Sequence, residues 1–164
     1  MKLIAPDYYN EFKCIADRCK HSCCIGWEID IDRDTLNRYE SAEGGYSKKI
    51  KESIDYSDTP HFCLLGDRCP HLSERGLCNI ITEYSEEWLA DICREHPRFY
   101  EWFPGVTECG LGLSCEEVCR IILENDSSIE FSEYNDGEKI ELSSKDDIAE
   151  SDTYIFLSSL REVF

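Results

Sequence analysis

Short amphipathic segments separated by loops predict a mainly helical chain. Residues 27–32 alternate apolar and acidic side chains, which predicts one short strand. Asp32 or Asp34 is placed to cap the helix that follows. After a glycine pair breaks the chain, a second, lysine-rich helix is predicted over residues 46–56.

A third helix is predicted where Ser85 can act as the N-cap of an apolar stripe formed by Trp88, Leu89 and Ile92. Pro97 ends this helix, because proline has no backbone N–H to donate and its ring clashes with the preceding turn.

The fourth predicted helix spans residues 115–125, since Ser114 and Glu117 have capping-box spacing and apolar residues follow at helical intervals. Cys115 is then the first helical residue. Free amide N–H groups and the helix dipole at that position favour the thiolate form that a metal requires.

The character of the chain changes after residue 126, where cysteine disappears and acidic residues accumulate. Apolar residues on both sides of Asn135-Asp136-Gly137 predict a hairpin or a solvated loop pair. Residues 151–164 predict the start of a helix without a C-cap, which we expect to continue in a longer protein.

These segments predict a mainly α fold with loop-rich, metal-stabilised segments and a small β-hairpin, so that the α+β character is minor. We expect two regions. Residues 1–126 form a cysteine-rich metal or iron–sulfur cluster domain, and residues 127–164 form the acidic hairpin or loop region with the start of the last helix.

Eleven cysteines are many for a chain of 164 residues. A chain of this length can bury a core without disulfides, and its first residues contain no apolar run of signal-peptide length. We therefore expect a soluble, cytoplasmic protein with reduced thiols. Clustered thiols in that compartment predict metal binding rather than disulfides, and an odd number would leave one cysteine unpaired.

The net charge of −18 excludes nucleic acid and anionic membranes as partners, because both repel an acidic surface. No stretch approaches the roughly 18–20 apolar residues of a membrane span. The acidic excess suits solubility alone or a lysine-bearing partner.

Eight cysteines are the candidate metal ligands: Cys14, Cys19, Cys23, Cys24, Cys69, Cys78, Cys93 and Cys115. Four thiolates suffice for a tetrahedral zinc ion or for a 4Fe–4S cluster. Paired C-x2-C elements are absent, and scattered single cysteines favour a cluster over zinc. The adjacent Cys23 and Cys24 cannot easily reach one ion, so we expect one to bind and the other to pack beneath it.

Other cysteine chemistry is disfavoured. A radical methionine-adenosyl motif would need a third cysteine where Gly26 stands, and no cysteine carries a nucleophile signature. No P-loop or G-x-G-x-x-G motif occurs. Cys63 and Cys109 are interpreted as spare or buried thiols, and so is Cys119, for which a ligand role stays open. His71 is the most suggestive histidine ligand, although a polar loop role is favoured.

Six blocks stand in order along the first 125 residues: Tyr8-Tyr9-Asn10-Glu11-Phe12-Lys13-Cys14, Cys19-x3-Cys23-Cys24-Ile25-Gly26-Trp27-Glu28-Ile29-Asp30-Ile31-Asp32, Cys69-Pro70-His71-Leu72, Gly76-Leu77-Cys78-Asn79-Ile80, Cys93-x3-Pro97-Arg98 and Leu113-Ser114-Cys115-Glu116-Glu117. Together they resemble the flagellin lysine-N-methylase family. A more distant resemblance is to zinc- or iron-chelating proteins with a C-x3-C-x3-C-C pattern, although the first gap here is four residues.

The resemblance implies a bacterial enzyme that methylates exposed lysines of flagellin, with S-adenosylmethionine as donor and an iron–sulfur cluster held by the shared cysteines. The sequence does not single out which four of the eight are its ligands. The family is much longer than this chain, so the expected function is that of its N-terminal cluster-binding part, inactive alone. The alternative is a non-enzymatic zinc or iron–sulfur module that ties loops together and recruits a protein partner. The sequence identifies neither a catalytic base nor a donor pocket.

Overall fold

The computed structural model describes residues 2–135 and 138–140, together with Ile155 and Ser159. Contacts divide the chain into two compact units. The sheet unit comprises Met1–Lys13, Pro97–Leu113 and Val118–Phe164, and the cysteine unit comprises Cys14–His96 and Ser114–Glu117.

The regular elements are short. The strands are β1 (Lys2–Pro6), β2 (Ile54–Asp55), β3 (His61–Phe62), β4 (Arg98–Phe103), β5 (Val106–Leu111), β6 (Phe131–Asn135) and β7 (Glu138–Ile140). The α-helices are α1 (Arg33–Ser41), α2 (Ser47–Glu52), α3 (Asn79–Glu83), α4 (Asp91–Glu95) and α5 (Glu116–Glu124). Three 3-10 turns lie at Asp7–Glu11, Ala16–Arg18 and Glu86–Trp88.

A five-stranded sheet in the order β4-β5-β1-β6-β7 forms the sheet unit. β1 pairs in parallel with β5 and antiparallel with β6, while the β4–β5 and β6–β7 pairs are antiparallel. All six residues of β5 are buried. Ile4 of β1 and Val106 of β5 pack together with Phe103, so the core of this unit lies where the parallel pair meets.

The prediction of a mainly α fold is wrong, because the chain is α+β with a mixed sheet. Its central pair joins Lys2–Ile4 to Val106–Glu108 across about a hundred residues of sequence. A strand pairing between such distant segments cannot be predicted from local periodicity, since strand preference depends mostly on tertiary neighbours. The antiparallel pairing of β6 with β7 confirms the predicted hairpin, and residues 136–137 lie outside the described part.

In the cysteine unit, α1 begins as predicted. The Asp32 side chain caps it by accepting a hydrogen bond from the Thr35 backbone N–H at 2.8 Å. The predicted second helix is too long, because α2 ends at Glu52 and the chain then turns into β2, which pairs antiparallel with β3.

The predicted strand at residues 27–32 is not a regular strand. Only an isolated bridge joins Asp30 to His61, and the Phe62 N–H donates to the Ile29 carbonyl at 3.1 Å. Its alternation is nevertheless real, since Ile29 and Ile31 are both buried. They belong to one core with Tyr39, Ile50, Ile54, Phe62, Cys69, Leu72 and Ile80.

The helix predicted from Ser85 to Pro97 is also wrong as a single element. The Glu86–Trp88 turn is 3-10, the Ser85 side chain makes no cap hydrogen bond, and α4 starts separately after Ala90. α4 ends before Pro97, as expected. None of the helices in the described part of the chain is long and apolar enough to cross a membrane.

α5 confirms the predicted helix of residues 115–125 to within one residue at each end. Cys115 directly precedes it instead of forming its first turn. Val118 and Ile121 on its apolar face are buried. The helix predicted at residues 151–164 lies outside the described residues except for Ile155 and Ser159, which are helical.

Candidate metal centre

All eight predicted ligand cysteines lie in the cysteine unit. Seven come from the continuous segment Cys14–His96. The eighth, Cys115, comes from the four-residue segment Ser114–Glu117. The unit therefore contains enough thiols for one four-sulfur site and for a second.

Four of these cysteines form an inner group on the core of the unit. Cys69 is a buried core member, and Cys24, Cys78 and Cys93 pack against the same core. The Cys69 backbone N–H donates to the Cys24 carbonyl at 2.8 Å, which fixes the two segments that carry them. We call Cys24, Cys69, Cys78 and Cys93 the inner thiols.

Every inner thiol lies within electrostatic range of the other three. Burial raises the pKa of Cys93 well above its ordinary value, and the Cys24, Cys69 and Cys78 thiols raise it further. Burial raises the pKa of Cys69 to about 12, with Cys24 and Cys78 again adding to the rise. Burial and the Cys24 thiol raise the pKa of Cys78. Partly or fully buried thiols that penalise the ionisation of their neighbours are the arrangement that a bound cation would stabilise.

Backbone amides lie close to two of the inner thiols. Burial raises the pKa values of Cys69 and Cys78, and the backbone N–H groups of His71 and Leu72 near Cys69, and of Ile80 and Ile81 near Cys78, oppose that rise. They do so because a nearby N–H dipole stabilises a thiolate more than a thiol. N–H donors to ligating sulfurs are a usual part of the surroundings of metal-bound cysteine. The inner thiols therefore fit a thiolate-held metal or cluster.

The adjacent Cys23 and Cys24 thiols influence each other's ionisation. Their interaction raises the pKa of Cys23 and lowers the pKa of Cys24 to about 7, so Cys24 is the first of the pair to become a thiolate. Cys24 packs on the core while Cys23 is exposed. The pair thus splits between the core and the surface, and which of the two binds a metal stays a prediction.

The remaining predicted ligands form an outer group. Cys14 and Cys23 are exposed, and Cys19 and Cys115 are half-buried. Burial raises the pKa of Cys19 first, followed by the Cys14 thiol, Glu116 and the Cys115 thiol. We call Cys14, Cys19, Cys23 and Cys115 the outer thiols.

No three His, Cys, Asp or Glu side chains in residues 2–135 and the other described positions are arranged to hold a metal ion directly. The assignment of the eight cysteines as ligands therefore stays a prediction.

His71 is completely buried and does not act as a free ligand. Its Nδ1 lies 3.0 Å from the Tyr46 hydroxyl and its Nε2 lies 3.0 Å from Ser53 Oγ. Ser53 donates to the Ile50 carbonyl at 2.7 Å, so it accepts from Nε2–H and leaves Nδ1 to accept from Tyr46. Burial, and then Lys49, lower the pKa of His71 to about 4, which keeps the ring neutral. Sequence reasoning missed both partners, because neither is near His71 in the chain.

His96 is a different case. Its Nε2 atom is buried and has no hydrogen-bond partner within the described residues, and burial lowers its pKa. His96 lies three positions after Cys93, and its ring centroid is 5.8 Å from that of Trp27. A buried imidazole nitrogen without a hydrogen bond lowers the stability of the folded state.

The three other cysteines are not part of either group. Cys63 is exposed. Cys109, within β5, donates to the Ile4 carbonyl at 3.6 Å, and Cys119, within α5, donates to the Leu113 carbonyl at 3.0 Å. The last two therefore have backbone partners in the sheet unit.

A surface cleft of about 370 Å³ also lies in the cysteine unit, lined by Glu43, Gly44, Gly45, Tyr46, Glu83 and Tyr84. Two carboxylates and two aromatic rings give it a chemistry that suits a cation. Tyr84 is held in place by stacking on Trp88 at 4.3 Å. No sequence motif pointed to these residues.

The fold and its cysteines together define a class: a cysteine-rich α+β chain whose thiols are carried on loops and short helices. Within that class the chain is similar to curated lysine-N-methylases. It is 26% identical over 137 residues to those of Salmonella typhimurium and Salmonella choleraesuis, a match that covers 78% of this chain and 34% of each relative. The chain thus spans about a third of the length of these relatives.

A second relative is shorter. The flagellar biosynthetic protein FliU of Salmonella muenchen is 25% identical over 137 residues, with 78% of this chain and 80% of FliU covered. These similarities confirm the resemblance to the flagellin lysine methylases. The resemblance to zinc- or iron-chelating proteins has no support, no family model matches the chain, and no solved structure matches it.

Proposed function

We propose that the chain is the N-terminal metal-binding part of a protein-lysine N-methyltransferase. In this proposal a lysine of flagellin is the acceptor, S-adenosylmethionine is the donor, and an iron–sulfur cluster stabilises the fold. The similarity to named lysine-N-methylases supports the activity. The four mutually adjacent inner thiols are the observation that carries the metal-binding role.

The inner thiols Cys24, Cys69, Cys78 and Cys93 are the proposed cluster ligands. A four-iron cluster takes one cysteine per iron and spaces the sulfurs more widely than one zinc ion does at about 2.3 Å per Zn–S bond. The four inner thiols lie on one core and supply the number of thiolates that a four-iron cluster takes. When bound, the cluster ties together four segments of little regular structure.

The second part of the proposal concerns the acceptor. A lysine amine must be neutral to accept a methyl group, and carboxylates and aromatic rings can orient the ammonium form before it loses its proton. The cleft bordered by Glu43, Glu83, Tyr46 and Tyr84 has this chemistry. We assign it as the entry point for a substrate lysine side chain.

Anaerobic purification followed by iron and acid-labile sulfide analysis tests the cluster. We expect brown protein with about four irons per chain. The variant Cys69→Ser is expected to lose the iron and sulfide, while the exposed-thiol control Cys63→Ser retains both. Colourless protein with stoichiometric zinc from an anaerobic preparation would overturn the cluster.

The cleft and the activity need a separate measurement. A flagellin peptide with one lysine is expected to bind the chain, and Glu83→Gln is expected to weaken binding several-fold, while Glu74→Gln in an exposed loop changes nothing. Methylation of the peptide is measured with labelled S-adenosylmethionine in a protein of the length of the lysine-N-methylase relatives. Equal binding by both variants would contradict the assignment of the cleft.

One observation favours a second function. The chain covers 80% of FliU but only 34% of the lysine-N-methylases. A non-enzymatic metal-binding module that recruits a protein partner would have the shorter length. Calorimetry with S-adenosylmethionine on the anaerobically prepared chain separates the two functions. Binding of S-adenosylmethionine supports the transferase, whereas the absence of binding supports the non-enzymatic module.

A further inference from the structure

The outer thiols differ from the inner thiols in what holds them. The inner thiols rest on a buried core, whereas Cys14, Cys19 and Cys23 stand on an irregular surface segment and Cys115 just precedes α5. No observation requires all eight cysteines to serve one centre. The question is whether the outer set is itself organised.

A carboxylate fastens the two parts of the outer group together. Glu116 Oε2 accepts hydrogen bonds from the backbone N–H groups of Lys20 at 2.8 Å and His21 at 3.1 Å. Cys19 immediately precedes Lys20, and Cys115 immediately precedes Glu116. Lys20 and Glu116 are 96 residues apart in the sequence, and so are their neighbours Cys19 and Cys115. The carboxylate therefore holds the segments that carry these two cysteines next to each other.

The segment between Cys14 and Cys19 is closed on itself. The Ala16 N–H donates to Cys14 Sγ at 3.4 Å, and the Cys19 N–H donates to the Ala16 carbonyl at 3.2 Å. Ala16 has φ of 52°, a left-handed conformation that a non-glycine residue adopts only when its surroundings impose it. Strain of this kind in a tight loop between two thiols is typical of a functional site.

The surroundings of Cys19 make a cation necessary for its thiolate form. Burial raises the pKa of Cys19 first, and the Cys14 thiol, Glu116, the Cys115 thiol and Glu117 raise it further. A bound cation would offset this repulsion. The pKa of Cys23 is raised first by the Cys24 thiol and by burial, and the Cys14 thiol adds to the rise, so Cys14 lies within electrostatic range of both Cys19 and Cys23.

We infer that Cys14, Cys19, Cys23 and Cys115 form a second metal site, separate from the inner thiols, which takes a thiophilic divalent cation of the zinc class. Each thiol releases its proton as it binds the cation. The hydrogen bonds from Lys20 and His21 to the Glu116 carboxylate hold the two chain segments in place. This site differs from the inner one in exposure, so its ion exchanges with solvent more readily. The inference does not depend on methyl transfer.

Counting ions tests the division. The reduced, metal-free full chain is loaded with Cd²⁺ under argon, desalted and analysed for bound cadmium. We expect two ions per chain in the wild type and one in Cys19→Ser/Cys115→Ser. The control Cys63→Ser/Cys119→Ser is expected to keep two. One ion in the wild type, or loss of both ions from the outer variant, would overturn the second site.

Alkylation gives a readout that needs no variant. Cys14, Cys23 and Cys63 are all exposed. In metal-free chain we expect iodoacetamide to modify all three, whereas in Cd²⁺-loaded chain only Cys63 remains reactive by peptide mass mapping. Equal reaction of Cys14 and Cys63 in the loaded chain would refute the site even if the double variant failed to fold.

The outcomes keep the two proposals apart. One cadmium ion per chain with Cys69 protected and Cys14 reactive refutes the second site and leaves the inner site intact. No bound cadmium and no protected cysteine refutes both.

Discussion

The sheet unit and the cysteine unit solve the problem of holding a chain in place differently. In the sheet unit, five strands of up to six residues each are joined by backbone hydrogen bonds into one sheet. In the cysteine unit, paired strands have two residues each and three of the helices have five or six. Regular ladders stabilise the first, so the second must depend on its side-chain core and on whatever its thiols bind.

The largest effect is expected from removal of the proposed metal or cluster. Structural zinc sites contribute on the order of 10 kcal/mol or more to folding, and a cluster held by four loop segments is expected to act similarly. We expect chelation of the anaerobically prepared chain to abolish amide protection around α3 and α4 and to leave β4 and β5 protected. Hydrogen exchange measured by mass spectrometry checks this result.

A parallel loss of protection in β5 would contradict the comparison, since the sheet unit would then depend on the metal as well. Retained protection in α3 and α4 would show that the side-chain core alone suffices.

The next largest effect is expected from Phe62→Ala in the core of the cysteine unit. Phe62 is 2% exposed and its ring lies 4.5 Å from that of His71 and 5.9 Å from that of Tyr39. Deleting a buried aromatic ring costs about 3–5 kcal/mol, because a cavity remains. Urea unfolding followed by fluorescence measures the loss, and Tyr56→Ala, at an exposed ring, is the matched control.

A smaller effect is expected from Asp32→Ala. One carboxylate oxygen caps α1 and the other accepts from the Asp91 N–H at 2.9 Å, at the start of α4. Loss of an N-cap costs about 0.5–2 kcal/mol, and loss of the second bond adds to it. Asp58→Ala, in an exposed loop, is the control. Equal unfolding free energies for both variants would refute the joint role.

Asp32 also predicts a pH dependence. Burial raises the pKa of its carboxyl, but the hydrogen bonds from Asp91 and Thr35 outweigh burial and lower the pKa in the folded state. The unfolded chain therefore binds this proton first. The contribution of Asp32 is complete above the unfolded value near 4 and is lost as the pH falls through the folded value. Wild type and Asp32→Ala are expected to converge in stability there.

The smallest effect is expected from Gly110→Ala in β5. A Cβ at this position would collide with the ring of Phe99 on the neighbouring strand. Phe99 is 51% exposed, so its ring can turn away at a cost of about 1 kcal/mol. Thermal unfolding measures this change, and Gly110→Ala/Phe99→Ala is expected to relieve it. A loss above that of Phe62→Ala would mean that the sheet unit tolerates disturbance less well than the core of the cysteine unit.

Sequence reasoning located what short-range patterns encode. The Asp32 cap, the helix near Cys115, the hairpin before residue 140 and the set of eight cysteines all depend on neighbours within a few residues. It missed what depends on distant partners. β1 pairs with β5, and His71 bonds to Ser53 and Tyr46, across gaps that no periodicity spans.

The cysteine set shows both sides of this limit. Spacing identified the eight candidate ligands, because closely spaced thiols are typical of metal sites. Spacing did not divide them into an inner and an outer group, because Cys24 faces the core and Cys23 does not, although they are adjacent. That division depends on packing, which only the folded chain defines.

The four-residue segment Ser114–Glu117 has a consequence for biosynthesis. Cys14 leaves the ribosome about a hundred residues before Cys115, which corresponds to roughly 5–20 s at 5–20 residues per second. During that interval Cys14, Cys19 and Cys23 have been synthesised, but Glu116, whose carboxylate accepts hydrogen bonds from Lys20 and His21, has not. The early thiols therefore depend on a reducing compartment until translation passes β5, and loading of the outer group is a late event in the life of the chain.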